Sequence, residues 1–235
     1  MKEKKKITKV ETCVVPFALE EIQENIVIST HNNSKPSKEQ IINQAFKFHS
    51  ENNISQAAKY YQYFINQGFC DHRVFSNYGN ILRDLGKLQE AELSLRKAIE
   101  IKGDFADARL NLGNILRDLG KLQEAENSYR KAIELNPDFA QAHLNLGAVL
   151  TDLGKLQEAE LFTRKAIEIK PDFGEAYIGL GIVLLQRGKQ DLSQTYFSRS
   201  AELLRGKNIQ DTAHARFTTI SKAKIEHDIE QFEYL

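Results

Sequence analysis

Tryptophan is absent from the 235 residues, methionine occurs once, cysteine twice and proline four times. A small scaffold held by cross-links needs more cysteine than this, and Cys13 and Cys70 read as free thiols of a reducing compartment. So few prolines leave long stretches in which helices can run unbroken. No apolar run approaches the roughly 20 residues that a membrane span needs. The basic start MKEKKK is followed only by a short apolar piece, Val14–Leu19, broken by Pro16. That is too little for a secretory leader. Net charge is missing as well: Lys+Arg and Asp+Glu both total 32. A nucleic-acid binder carries a basic excess, so that class is set aside. The expected setting is the cytoplasm, with neither membrane nor nucleic acid as a partner.

Catalytic constellations are lacking too. The histidines are His31, His49, His72, His143, His214 and His227, and no two have the four-residue spacing that puts two metal ligands on one helix face. His227 and Asp228 are neighbours in sequence and diverge on a helix. His143 reads as a packing residue. The glycines are scattered single positions, not a phosphate-binding loop, and nothing brings a Ser-His-Asp triad together. The expectation is a protein without catalytic residues, metal or cofactor.

What the sequence does have is repetition. GNILRDLGKLQEAE stands at residues 79–92 and again, unchanged, at 113–126. Gly79, Gly113, Gly147 and Gly181 are spaced by 34, as are Gly86, Gly120, Gly154 and Gly188. Small residues follow in two further series, Ala91, Ala125, Ala159, Ser193 and Ala98, Ala132, Ala166, Ser200. Pro137 and Pro171 close two windows, and Gly103 holds the matching place earlier. A fixed period decides fold class before any local signal does.

Each window divides into two helices. In 106–120, Ala108, Leu110, Leu112, Ile115, Leu116 and Leu119 include spacings of three and four residues, an amphipathic pattern that Gly120 ends. Leu122, Ala125, Tyr129, Ala132, Ile133 and Leu135 form the second, which Asn136-Pro137 stops. Glycine inside a helix costs about 1 kcal/mol relative to alanine. Close approach of the paired helix is the expected compensation: Gly79 against Ala91, Gly113 against Ala125 and Gly147 against Ala159. The charges of RDLGKLQEAE, among them Lys87, Glu90, Glu92, Lys121, Glu124 and Glu126, read as solubility and helix support, with Glu90 and Glu124 favourably placed in a first turn.

With Leu112-Gly113, Leu116, Ala125, Tyr129, Ala132 and Pro137 in a window of 34, the sequence resembles the tetratricopeptide repeat family. The likeness holds over four windows, His72–Lys207. It departs at the family's early tryptophan, where Phe75, Arg109, His143 and Tyr177 stand, and at Ser193, Ser200 and Arg205 in the last window. A fifth window, Lys38–Asp71, keeps Ala57 and Tyr61 but has Ala45 in the glycine's place and no closing proline. It reads as an altered terminal repeat. The resemblance implies an all-α, right-handed solenoid of about five helical hairpins at 38–71, 72–105, 106–139, 140–173 and 174–207. A tail at 1–37 is expected to be mostly disordered, with Lys4-Lys5-Lys6 solvated and short strands open to Val14–Phe17 and Ile26–Ile28. Ser37 is a plausible cap for the first helix. In 208–235, Phe217, Ile220, Ile225, Ile229 and Phe232 suit a C-terminal capping helix or the start of a link to a further module.

The resemblance also implies that first helices line a concave inner side. There Asn77, Asn111 and Asn145 form one series, and Asn80 and Asn114 another. Arg83 and Arg117 continue that face, with Asp84, Asp118 and Asp152 beside them. A carboxamide is both donor and acceptor, so it matches a peptide unit whatever side chains the partner carries. The arginine forks suit carboxylate or phosphate. The superhelical repeats of O-linked N-acetylglucosamine transferase carry a similar asparagine ladder. Chaperone-tail adaptors pair asparagines with lysines, but Ser76, Leu110 and Leu144 stand where those lysines would be. In the last window Gly179, Ile182 and Leu185 turn the face apolar. Asn77, Asn80, Arg83, Asn111, Asn114, Arg117 and Asn145 are therefore the expected peptide-binding residues of a non-catalytic protein-interaction scaffold. Two alternatives stay open: inheritance of asparagines through recent duplication, and a substrate-selecting arm of an enzyme such as a glycosyltransferase whose catalytic domain lies elsewhere.

Overall fold

The computed structural model describes residues 36–204, in which all regular structure is helical. Ten helices follow one another: α1 (Lys38–Ser50), α2 (Ile54–Asn66), α3 (His72–Asp84), α4 (Leu88–Ile101), α5 (Ala106–Asp118), α6 (Leu122–Leu135), α7 (Ala140–Asp152), α8 (Leu156–Ile169), α9 (Gly174–Gln186) and α10 (Gln190–Leu204). The odd-numbered helices begin 34 residues apart, so the sequence period is the structural period. The tail, its lysine cluster, the strand candidates and the 208–235 capping segment lie outside the described residues.

Local chemistry sets the boundaries. Ser37 caps α1 with a reciprocal box: its hydroxyl accepts from Gln40 N–H, and Gln40 Oε1 accepts from Ser37 N–H at 2.8 Å. Asp71 caps α3 through Arg73 N–H at 2.9 Å. The turns inside the hairpins demand a left-handed residue, and Gly120 supplies it with φ of 74°. There Lys121 N–H reaches back to Leu116 O at 2.8 Å, closing α5.

Each helix packs on its hairpin mate, and each second helix packs on the next first helix. A main core takes in the wholly buried Ala91, Ala98, Ala125, Ala132 and Ala159, and a smaller cluster of Leu144, Phe173 and Ala176 takes in Ala166. The sequence-expected glycine partners need correction. Facing Gly113 is Tyr129, sixteen residues on; a Cβ at Gly113 would lie 2.5 Å from Tyr129 Cε1. Gly79 faces Leu95, Gly147 faces Thr163 and Gly181 faces Phe197 in the same way. The alanines contribute only backbone, as at Gly79, where Ala91 O is 3.3 Å from the would-be Cβ. The glycine makes room for a large side chain, so close helix approach is only half of its role.

The departures in the last hairpin are accommodated by hydrogen bonds. Ser193 donates to Gly181 O and Ser200 to Gly174 O, both at 2.9 Å, so neither hydroxyl is buried unpaired. Cys70 contradicts the free-thiol expectation, for it is disulfide-bonded. It stands in the half-buried connection between α2 and α3, not within a helix. Cys13 lies outside the described residues.

Candidate functional site

First helices touch one another directly, α3 with α5, α5 with α7 and α7 with α9, whereas second helices show no comparable approach among the described residues. The odd-numbered helices therefore line the inner side of the curve, and the even-numbered ones splay on the outer side.

The outer side is spanned by long charged side chains. Glu92 accepts from Arg96 on its own helix at 2.9 Å and from Lys121 of the next hairpin at 2.8 Å. Arg96 also reaches forward to Glu124 at 2.8 Å. Glu126 repeats this with Arg130 and Lys155, and Arg130 with Glu158. Glu160 takes Arg164 and, from the last hairpin, Arg187 and Lys189. Leu192 replaces the next glutamate, so Arg164 donates to Tyr196 Oη instead, at 2.8 Å. Burial raises the pKa of the Glu92, Glu126 and Glu160 carboxyls, but their cationic partners outweigh it and hold all three below the ordinary carboxylate value. The reading of these charges as solubility and helix support is thus incomplete: they also tie neighbouring hairpins together. Their spacing of 34 was the signal that could have found them.

The inner wall is built in rungs, each joining two successive first helices and the second helix between them. In the first rung, Asn77 Nδ2 donates to Tyr61 Oη at 3.2 Å, and Tyr61 Oη lies 2.9 Å from His49 Nδ1. Burial drives the Tyr61 hydroxyl up to about 12, against the pull of Asn77. It stays protonated at neutral pH. In the third rung, Asn114 Oδ1 accepts from Tyr129 Oη at 2.8 Å and from Asn145 Nδ2 at 2.7 Å. Asn145 Oδ1 in turn accepts from Gln141 at 2.8 Å. Burial puts the Tyr129 hydroxyl far above the ordinary phenol range, and Arg117, Asp118 and Arg83 all act on it electrostatically. Arg83 Nε donates to Asp118 at 2.8 Å, bridging α3 and α5 along the same face. Arg117 is half-buried and engaged.

The expected site residues thus share one side but not one condition. Asn145 is wholly buried and Asn114 nearly so, both within the tyrosine network. Asn77 and Arg83 are half-buried and partly engaged. Asn80 and Asn111, of the second rung, are half-buried and carry no hydrogen bond among the described residues. Leu95 stands there in the register of Tyr61 and Tyr129. The fourth rung has no amide. Gly179 packs close to Leu144, and the Thr163 hydroxyl donates to Ala159 O at 2.7 Å. Nor is His143 a ligand candidate: it is buried, with Nε2 2.8 Å from Pro137 O.

Family models for the TPR repeat match residues 79–116 and 113–154, and one for the tetratricopeptide repeat matches 140–173. Residues 79–173 bear tetratricopeptide repeats. Solved structures agree on the solenoid. A crystal structure of MamA superposes with a TM-score of 0.62 at 25% identity, covering 69% of this protein and 95% of that one. MamA from residue 41 to its end, from Desulfovibrio magneticus RS-1, gives 0.65 at 18% identity over 73% and 97%. YrrB, described as a TPR protein with an unusual peptide-binding site, gives 0.61 at 20% identity over 71% and 86%. A comparison with curated proteins yields no match. Among the described residues no repeat helix is long and apolar enough to cross a membrane.

Proposed function

We propose that the repeats form a non-catalytic scaffold whose inner wall holds an extended segment of a partner protein. One observation carries this reading. The inner wall presents half-buried carboxamides in register on successive helices, those of Asn80 and Asn111 without a side-chain hydrogen bond among the described residues, whereas the outer side is closed by charge pairs that join hairpins. Polar groups held in part-dry surroundings gain more from a partner than freely solvated ones. The likeness to the transferase repeats belongs to this proposal only through the shared asparagine series. The peptide-binding site described for YrrB supports it by analogy of fold.

Asn77, Asn80, Asn111, Arg83 and Arg117 are the residues through which the scaffold would meet its partner. Asn114 and Asn145 are its fixed support. The test is to select random linear peptides on the intact protein and map the bound survivor by amide hydrogen exchange. Protection concentrated on α3, α5 and α7 is expected. Protection confined to α4, α6 and α8, or none at all, refutes the reading.

A further inference from the structure

A single leucine distinguishes the second rung from its neighbours. Residue 61 is tyrosine and residue 129 is tyrosine, but the equivalent residue 95 is leucine. The consequence is visible in the amides. Tyr129 holds Asn114 with its oxygen turned to Asn145, so the donor of one asparagine satisfies the acceptor of the other. Tyr61 engages Asn77 in the first rung. Asn80 and Asn111 are the same pair one hairpin earlier than Asn114 and Asn145, yet Leu95 has no hydroxyl to orient Asn80. Both amides are half-buried and without a hydrogen bond among the described residues. Nor are they sealed from solvent, since among the described residues the buried side-chain atoms left unpaired are Arg109 Nε and His143 Nδ1.

We propose that Asn80 and Asn111 form a peptide-unit subsite, kept open by Leu95, at which the scaffold grips the backbone of its partner. The inference rests on the inner-wall reading above and says where on that wall recognition occurs. Each carboxamide brings two N–H donors and one carbonyl acceptor, the complement of a backbone carbonyl and a backbone N–H. An extended segment presents both groups at every residue, so the subsite reads backbone shape and tolerates any side chain there. The Arg83–Asp118 ion pair borders it on α3 and α5. It favours a polar or charged side chain at the flanking partner position. By contrast the fourth rung has Ala148, Thr163 and Gly179 at these places and offers no carboxamide, its one hydroxyl being turned to Ala159 O.

Two variants test the assignment, using a linear peptide selected on the wild-type protein as the probe. Leu95→Tyr rebuilds the third-rung arrangement, because Gly79 faces residue 95 as Gly113 faces Tyr129. The new hydroxyl should tie down Asn80 and lower peptide affinity about tenfold, with the melting temperature unchanged or higher. Asn80→Ala combined with Asn111→Ala should lower affinity at least as much without loss of stability, and decides alone if the tyrosine variant misfolds. Wild-type affinity in the double alanine variant, with the peptide still protecting the inner wall, overturns this inference and leaves the inner-wall reading standing. A selected peptide that protects no inner-wall amide removes both.

Discussion

Asn145 Nδ2 donates to Asn114 Oδ1 at 2.7 Å, joining α7 to α5 across the boundary between two repeats. The same oxygen accepts from Tyr129, so Asn114 receives two buried donors. Replacing it takes from the buried Tyr129 hydroxyl the oxygen it donates to. Asn114→Ala is expected to lower stability by about 1–3 kcal/mol, read as a shift of the urea midpoint. Asn111→Ala, at a half-buried amide without a partner, should leave that midpoint within about 0.5 kcal/mol. Equal effects of the two substitutions would disprove the division between supporting and open asparagines.

Gly113 has no room for a side chain. A Cβ there would meet three carbons of the buried Tyr129 ring, the nearest at 2.5 Å. Gly113→Ala should destabilise by about 1–3 kcal/mol through overpacking, and Gly113→Leu by more. Gly103→Ala, whose Cβ would meet nothing within 4 Å, is the control. Thermal melts of the three variants provide the comparison, and a Gly113→Ala melt matching wild type would contradict the packing.

The glutamate sockets predict an acid dependence. The folded pKa of Glu126 lies below the ordinary 4.5, as do those of Glu92 and Glu160. Their contribution is present above the unfolded value and is lost as pH falls through the folded one. Stability should therefore decline below about pH 4.5. Glu126→Gln should flatten part of that slope while losing stability at pH 7, checked by urea denaturation at stepped pH. A wild-type slope in the variant would count against the socket.

His49 predicts a second, milder dependence nearer neutrality. Burial lowers its pKa from 6.5, with Asp84 pulling the other way. The fold prefers the neutral ring, whose Nδ1 lies 2.9 Å from the Tyr61 hydroxyl. Its contribution is full above pH 6.5 and falls away as pH drops through the lowered folded value. Comparing wild type with His49→Gln between neutral and mildly acidic pH isolates this histidine from the others. Parallel melting curves would show that it makes no contribution.

The period of 34 made the fold legible, because helix starts, left-handed glycines and buried alanines all repeat with it. The inner-wall series was legible for the same reason. What the pattern could not give was the state of each asparagine. Asn111 and Asn145 look alike in sequence, but the tyrosine that distinguishes them sits sixteen residues beyond a glycine, on another helix, and only packing brings it to the amide. Glu92 and Lys121 are likewise distant in sequence and meet because one hairpin stacks on the next. The Cys70 expectation failed for a related reason, since cysteine count reports compartment only on average and the residue stands in a connection open to cross-linking.

The charged sockets also bear on how such a repeat protein alters its length. Glu92 receives Lys121 as Glu126 receives Lys155, and Arg96 reaches Glu124 as Arg130 reaches Glu158. If residues 106–139 were excised, Lys155 would arrive at Glu92 and Glu158 at Arg96, and the new junction would need no new complementarity. Asn80 would then face Asn145, still beside Leu95. Loss or gain of a whole unit is thus close to neutral for assembly, so the solenoid can change its length without remaking a junction.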